Sequence, residues 1–234
     1  MAKKTRKVAA IKTSFDVSDV KEARQALFQA LEQHAKKENN IENSSSDDDE
    51  TALPPIHPLV RLFSQQCGAA RNPKEQKNLL CQVMGEFSAA DLRRFSATLA
   101  PALDEIVATQ SYLPQKEEEE KEEEGNNEGK DANNEGGDDE ENETSGAVAT
   151  DVRASRSLQL LRVTTVLLQV YWEFRAQSPR PSVPHEFWLI VTPLHDILLD
   201  LQQCGPMGRT TQTRILDLCE SLWHANLPDR AAVV

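Results

Sequence analysis

The chain has 234 residues, of which 38% are hydrophobic and 5% aromatic, and 38 acidic against 26 basic residues give it a formal net charge of -12. This hydrophobic content is too high for a wholly disordered chain, while 9 glycines and 12 prolines exclude collagen-like and Pro/Gly-rich low-complexity proteins. Length and composition therefore fit one ordinary domain or two small ones.

The amino-terminal segment, residues 1–15, is basic and is predicted to be disordered. Its Lys3, Lys4, Arg6 and Lys7 fit the pattern of a nuclear localisation signal. A basic start without acidic residues also suits a mitochondrial presequence. The sequence therefore favours a nuclear or nucleolar location, with the mitochondrial matrix and the cytoplasm as alternatives.

Helix signals recur along the chain and strand signals do not. A helix is predicted over residues 16–38, and a polar, acidic linker follows over residues 39–52. Two helical parts are expected over residues 53–113 and 151–228. Since a part of about 60 residues buries only ~60% of its unfolded surface, we expect the two parts to form one domain.

In the first helical part, Pro58 and Pro73 suit the first turns of two helices, and Gly85 suits the end of the second. Ser88 followed by Asp91 has the spacing of a capping box, which predicts the start of a third helix. These local signals set the expected helix boundaries in this part of the chain.

A long acidic insertion is predicted between the two helical parts, over residues 114–150. Residues 116–144 hold 15 acids and 3 bases, which accounts for the whole net charge of the chain. Such a Gly/Asn-rich, acidic stretch cannot bury enough apolar surface to offset its ordering entropy. We therefore expect the insertion to be disordered.

In the second helical part, a long helix with little polar face is predicted from about residue 152 to residue 176, as expected of a central helix covered on most sides. A short helix from Pro184, a helix over 193–204 and a last helix over 211–225 should follow it. In the first part, Pro101 is expected to kink or split the helix that Ser88 begins.

Residues 57–68 and 192–205 share a pattern, with Pro-Leu near the start and Gln-Gln-Cys-Gly at the end, and an apolar-periodic helix follows each. Each copy resembles a helix pair of the HEAT or armadillo type of repeat, whose stacked pairs bury a continuous core. The resemblance implies an all-α fold of antiparallel helix pairs, packed as a short α-solenoid-like domain that the acidic insertion interrupts.

Residues suited to catalysis or metal binding are few. The cysteines and histidines show no C-x2-C, H-x3-H or HExxH spacing, so no metal site is expected. Cys67, Cys81, Cys204 and Cys219 are expected to be small buried side chains, and His57 to begin a helix. GxSxG motifs, phosphate-binding glycine loops and candidate acid and base pairs are missing. We therefore predict no catalytic residues, no cofactor and no enzyme.

Three further features of the sequence are open to interpretation. Residues 205–208, Gly-Pro-Met-Gly, are interpreted as a turn between helices. Trp188 suits an exposed anchor for a partner, but a core position is expected because large aromatic side chains are mostly buried. Ser44, Ser45 and Ser46 precede a run of acids and are candidate phosphosites.

Together these features favour a non-enzymatic helical scaffold or adaptor in a nuclear or nucleolar assembly, such as one for ribosome biogenesis. Its helices would bind protein partners, and the acidic loop would modulate contact with basic components. The alternatives are an acidic chaperone for a basic client, such as a ribosomal protein or histone, and a helical subunit of a mitochondrial complex. Direct nucleic-acid binding by the folded part is not expected, and neither is a membrane anchor.

Overall fold

The computed structural model describes residues 14–41, 56–64, 73–114, 144–178 and 182–226. Within these ranges the chain forms helices and no strand. The elements are α1 (Val17–Ile41), α2 (Pro58–Ser64), α3 (Pro73–Gly85), α4 (Ala89–Ala108), α5 (Thr144–Ala176), α6 (His185–Asp196), the 3-10 helix η1 (Asp200–Gln203) and α7 (Gly205–Asn226). The predicted all-α fold is confirmed for this part of the chain.

Helices from before and after the predicted insertion share one hydrophobic core. The long helix α5 contacts α2 and α3 from the first part and α7 from the second, while α4 packs against α6. Several helices two places apart in chain order are neighbours: α1 with α3, α3 with α5, α5 with α7, and α4 with α6.

The central position predicted for the long helix is confirmed, because most side chains of α5 from residue 154 to residue 172 are buried. Tyr171 and Trp172 meet Phe187 of α6, with ring centroids 5.8 and 6.2 Å apart. The helix begins at Thr144, earlier than predicted. Residues 144–150 contain no acid, unlike the stretch before them.

Aromatic rings join α1 to α4. Phe28 of α1 stacks on Phe87 at a centroid distance of 5.7 Å, and Phe87 meets the edge of Phe95 at 5.8 Å. The guanidinium of Arg94 lies 4.3 Å from the centre of the Phe28 ring, within the range of cation–π attraction. The amino-terminal helix is therefore part of the core.

The capping box predicted for α4 is confirmed. The amide of Asp91 donates to Ser88 Oγ at 3.2 Å, and the amide of Ser88 donates to Asp91 Oδ2 at 2.9 Å. Arg24 of α1 forms an ion pair with the same carboxylate. Burial alone would raise the pKa of Asp91, but its hydrogen bonds from Ser88 and the nearby Arg24 together lower it.

His57 directly precedes α2, which confirms its predicted position at a helix entry. Its side chain is buried, and its Nδ1 accepts a hydrogen bond from the amide of Leu59 at 3.0 Å. The carbonyl of His57 accepts from the next two amides of the helix. The imidazole thus satisfies a backbone donor at the helix start.

Two prolines lie inside helices: Pro101, which was expected to kink or split its helix, and Pro193, which was expected to begin one. Pro101 lies within a continuous α4, and Pro193 lies within α6, so the predicted helix over 193–204 is wrong. Each proline removes the donor for the carbonyl four residues earlier, that of Ala97 or Leu189. Both of these residues are exposed, and solvent can therefore satisfy their carbonyls.

Residues 205–208 begin α7 and are not the predicted turn between helices. Gly205 has a φ of 66°, which allows the chain to turn from η1 into α7. Pro206 suits the first turn of the helix. At Gly208 a Cβ would lie 2.3 Å from the carbonyl oxygen of Leu201, so the start of α7 packs tightly on η1.

Candidate functional site

An open apolar groove of about 500 Å³ lies between α6 and α7. These two helices are in contact only over a short stretch, and the groove lies where they are apart. The side chains that line it are Trp188, Val191, Thr192, His195, Cys219 and Trp223. The volume lies within the range of about 300–1,000 Å³ that is typical of binding pockets.

Helical periodicity places the lining residues of each wall on one face. Trp188 and His195, seven residues apart, mark the two ends of the α6 wall. In α7, Cys219 and Trp223 are four residues apart, and Leu216 lies one turn before Cys219 on the same face. The α6 wall therefore extends over two helical turns, about 10 Å, and the apolar face of α7 from Leu216 to Trp223 has the same length.

Large apolar side chains at the groove are exposed to solvent. Trp223 is 68% exposed, Leu216 is 50% exposed and Trp188 is 38% exposed. The predicted core position of Trp188 is therefore wrong. Its neighbour Phe187 occupies the core instead, since the side chains of successive helix residues point about 100° apart.

Two pairs of histidine and acid consist of the lining residue His195 and direct chain neighbours of lining residues. His195 Nδ1 lies 3.7 Å from Asp196 Oδ1, and His224 Nε2 lies 3.6 Å from Glu220 Oε1. All four side chains are more than half exposed. Since the lining residues include no lysine or arginine, the groove has carboxylates beside it and no fixed positive charge among its walls.

The described cysteines are half-buried, whereas full burial was expected of them. Burial raises the pKa of the Cys81, Cys204 and Cys219 thiols. A raised pKa disfavours the thiolate, which is the form that attacks electrophiles and binds metals. Cys219 therefore contributes an apolar wall to the groove. Cys67 lies outside the described residues.

Metal-binding geometry is not found in the described ranges, where no three His, Cys, Asp or Glu side chains group closely enough to hold an ion. The helices of these ranges also include none that is long and apolar enough to cross a bilayer. The candidate localisation residues Lys3, Lys4, Arg6 and Lys7 lie outside the described residues, as do the candidate phosphosites, the serines over 44–46.

Sequence reasoning missed the groove, although the sequence of α7 carries a signal for it. Ile215, Leu218 and Leu222 form the stripe that faces the core. Leu216 and Trp223, seven positions apart, are additional apolar residues on a second face of the helix, outside the stripe that faces the core.

No known protein family, curated protein or solved structure matches this chain. In the part of the chain that the structure describes, the fold is all-α, with α2, α3 and α7 packed against α5 and an open apolar groove between α6 and α7.

Proposed function

We propose that this chain is a non-enzymatic helical scaffold or adaptor that binds a partner protein through the groove between α6 and α7. The observation that carries the proposal is the pair of exposed tryptophans, Trp188 and Trp223, that line one apolar groove. Tryptophan is enriched at protein interfaces and among the residues that contribute most to binding. Covering Trp223 would remove a large apolar surface from water.

The helix arrangement supports a scaffold of the HEAT or armadillo kind. The series α1, α3, α5, α7 and the pair α4, α6 pack in two alternating sets, as helices of successive repeats do in α-solenoids. α7 is the last described helix of its series. A terminal helix in such an array needs a polar outer face or a partner, and α7 instead presents Leu216 and Trp223.

Of the two Gln-Gln-Cys-Gly segments, the second forms the passage from η1 into α7, with Cys204 as the cap of η1. The first segment, residues 65–68, lies outside the described residues. The proposed duplication of a helix pair therefore rests on the sequence pattern alone.

We place the adaptor in a nuclear or nucleolar assembly, because Lys3, Lys4, Arg6 and Lys7 fit a localisation signal. Fusing residues 1–15 to a fluorescent reporter tests this location. The reporter should enter the nucleus. Import into mitochondria with cleavage of the segment would favour a subunit of a mitochondrial complex instead.

A second candidate function is that of an acidic chaperone for a basic client such as a ribosomal protein or histone. The observation that favours it is the tract over residues 116–144, with 15 acids and 3 bases. In this alternative the tract binds the client directly, whereas in the adaptor it only modulates contact with basic components.

Affinity purification followed by mass spectrometry separates the two candidates. The baits are the wild-type chain, Trp223→Ala, a chain with a Gly/Ser linker in place of residues 116–144, and Leu199→Ala. The last is a matched control, since Leu199 is 79% exposed and does not line the groove. An adaptor should lose its partner with Trp223→Ala and keep it in the control and the linker variant. A chaperone should lose its client with the linker variant alone.

A further inference from the structure

The shape of the apolar surface favours an elongated occupant over a compact ligand. Trp223 lines the cavity, but Leu216, 50% exposed, lies two turns earlier along the same face of α7 and outside the cavity lining. A ligand confined to the cavity would leave Leu216 in water. An element that lies along α7 would cover both side chains.

An α-helix has the dimensions that this surface requires. Its diameter with side chains is about 10–12 Å, and residues at i, i+3 or i+4, and i+7 form an apolar row about 10 Å long. The α6 wall, from Trp188 to His195, and the apolar face of α7, from Leu216 to Trp223, each extend over seven residues as well. Such a groove suits the binding of one amphipathic helix.

The charges beside the groove indicate which charge the bound helix should carry. Asp196 is 59% exposed and Glu220 is 73% exposed, so both carboxylates can reach a partner. Asp196 and Trp223 also lie near the carboxyl ends of α6 and α7, where the helix dipole adds partial negative charge. Both contributions favour a positively charged partner.

The arginines of α7 do not line the groove and lie away from its Trp223 end. Arg214 Nη1 donates to Oε1 of Gln169 on α5 at 3.3 Å, which holds the guanidinium against α5. Arg209 precedes Leu216 by two turns, and is therefore about 20 Å along the helix axis from Trp223. That separation exceeds the screening length of ~8 Å at physiological ionic strength.

We propose that the groove between α6 and α7 binds a basic amphipathic α-helix of the partner protein. Its apolar residues at i, i+3 or i+4, and i+7 fill the space between Trp188 and Trp223. Its lysines or arginines lie beside Asp196 and Glu220. This inference rests on the proposed adaptor function and specifies the chemistry of the partner.

Photocross-linking identifies what occupies the groove. The full-length chain carries p-benzoylphenylalanine in place of Trp223 or, as the control, in place of Leu199, and is irradiated in an extract of the cells that produce it. Mass spectrometry then identifies the cross-linked segment. At position 223 we expect a segment of another protein with apolar residues at helical spacing and an excess of Lys and Arg. Position 199 should not capture that segment.

A synthetic peptide of the captured segment provides the quantitative test. Its dissociation constant should rise at least tenfold for Trp223→Ala and remain unchanged for Leu199→Ala. Glu220→Lys and Asp196→Lys should weaken binding, with a smaller effect at high salt, because surface charges are screened. Asp104→Lys, at an exposed position of α4, is the matched charge control and should bind as the wild type does.

The remaining outcomes would overturn the inference, and they separate its failure from that of the adaptor function. In one set of outcomes, the affinity baits recover a partner, but position 223 captures an acidic segment, a segment without helical spacing, the chain itself or nothing. The adaptor function is then supported, and the binding of a basic helix in the groove is contradicted. If neither the baits nor either cross-linking position captures a partner protein, both proposals fail.

Discussion

At Gly208 the start of α7 passes so close to η1 that no side chain fits between them. A Cβ there would lie 2.3 Å from the carbonyl oxygen of Leu201 and 2.5 Å from Cys204 Cβ. Both neighbours belong to a tight 3-10 turn and its cap, which leaves little room for either to move. The glycine is therefore required by close approach of the backbone.

Gly208→Ala is expected to lower the free energy of unfolding by about 1–3 kcal/mol, the usual effect of overpacking. Gly85→Ala is the matched control, because its Cβ would lie 3.5 Å from the Phe174 ring, an ordinary contact. The control should leave stability unchanged or raise it by up to ~1 kcal/mol, because alanine is favoured over glycine in a helix. Urea unfolding followed by circular dichroism measures both, and equal stability of the two variants would contradict the steric argument.

Asp91 should make stability depend on pH. Its pKa in the folded chain is lowered, so the ionised carboxylate is favoured by folding, and its stabilising effect is present at neutral pH and lost as the pH falls below about 4. Asp91→Asn should lower the free energy of unfolding by about 1 kcal/mol at pH 7, because hydrogen bonds to a charged acceptor are stronger than those to a neutral amide. The difference from the wild type should shrink on acidification.

The comparison for Asp91→Asn is Asp104→Asn, at an exposed position of the same helix. Unfolding in urea at several pH values from 7 down to 3 measures both variants. A constant difference between Asp91→Asn and the wild type across this range would show that the charge of Asp91 does not contribute to stability.

Between elements, Tyr112 joins the chain after α4 to η1. Its hydroxyl donates to Asp200 Oδ2 at 2.8 Å, and its carbonyl oxygen accepts from Cys204 Sγ at 3.2 Å. The side chain is buried. Burial, together with the hydrogen bond to Asp200, raises the pKa of Tyr112, so the phenol stays protonated in the folded chain.

Tyr112→Phe should lower the free energy of unfolding by about 1.5–3 kcal/mol, since the lost hydrogen bond is to a charged group. A raised folded pKa means that this stabilisation is complete below the unfolded pKa of about 10 and is lost as the pH rises above it. The difference between wild type and variant should therefore decrease from pH 9 to pH 11. Guanidinium unfolding over this range measures it, and an unchanged difference would contradict the role of the phenol.

The sequence predicts a helix boundary correctly when the residues that determine it are close together in the chain. The start of α4 is correct because Ser88 and Asp91 make the cap between themselves. The carboxyl end of α6 and the start of α7 are wrong because tertiary contacts decide them. Pro193 is buried within α6, and Gly208 meets η1. The periodicity of α7 indicates a second apolar face, which forms one wall of the groove. It does not show which helix forms the opposite wall.

The whole molecule depends on contacts between its two helical parts. α5 packs on α2 and α3, and α6 packs on α4, so the helices before residue 114 and those after residue 144 bury each other. This arrangement does not require a particular sequence between them. Composition predicts that residues 116–144 add no apolar surface to the core.

Replacing residues 116–144 with a short Gly/Ser linker should leave the helical circular-dichroism signal per folded residue and the melting temperature nearly unchanged. The entropy of closing a loop depends only weakly on its length, with about 0.6 kcal/mol for each doubling. Thermal unfolding of the wild type and the linker variant measures this. Loss of cooperative unfolding would show that the tract stabilises the fold.

The hydroxyls of Ser111 and Ser157 lie 2.9 Å apart and share a hydrogen bond, which links the chain after α4 directly to α5. The covalent connection through the acidic tract therefore joins parts that are already in contact. A protease cut within the tract would convert the chain into two polypeptides, each carrying one side of the α3–α5 and α4–α6 interfaces. They would remain assembled as a heterodimer, and their stability would then depend on the concentration of both fragments.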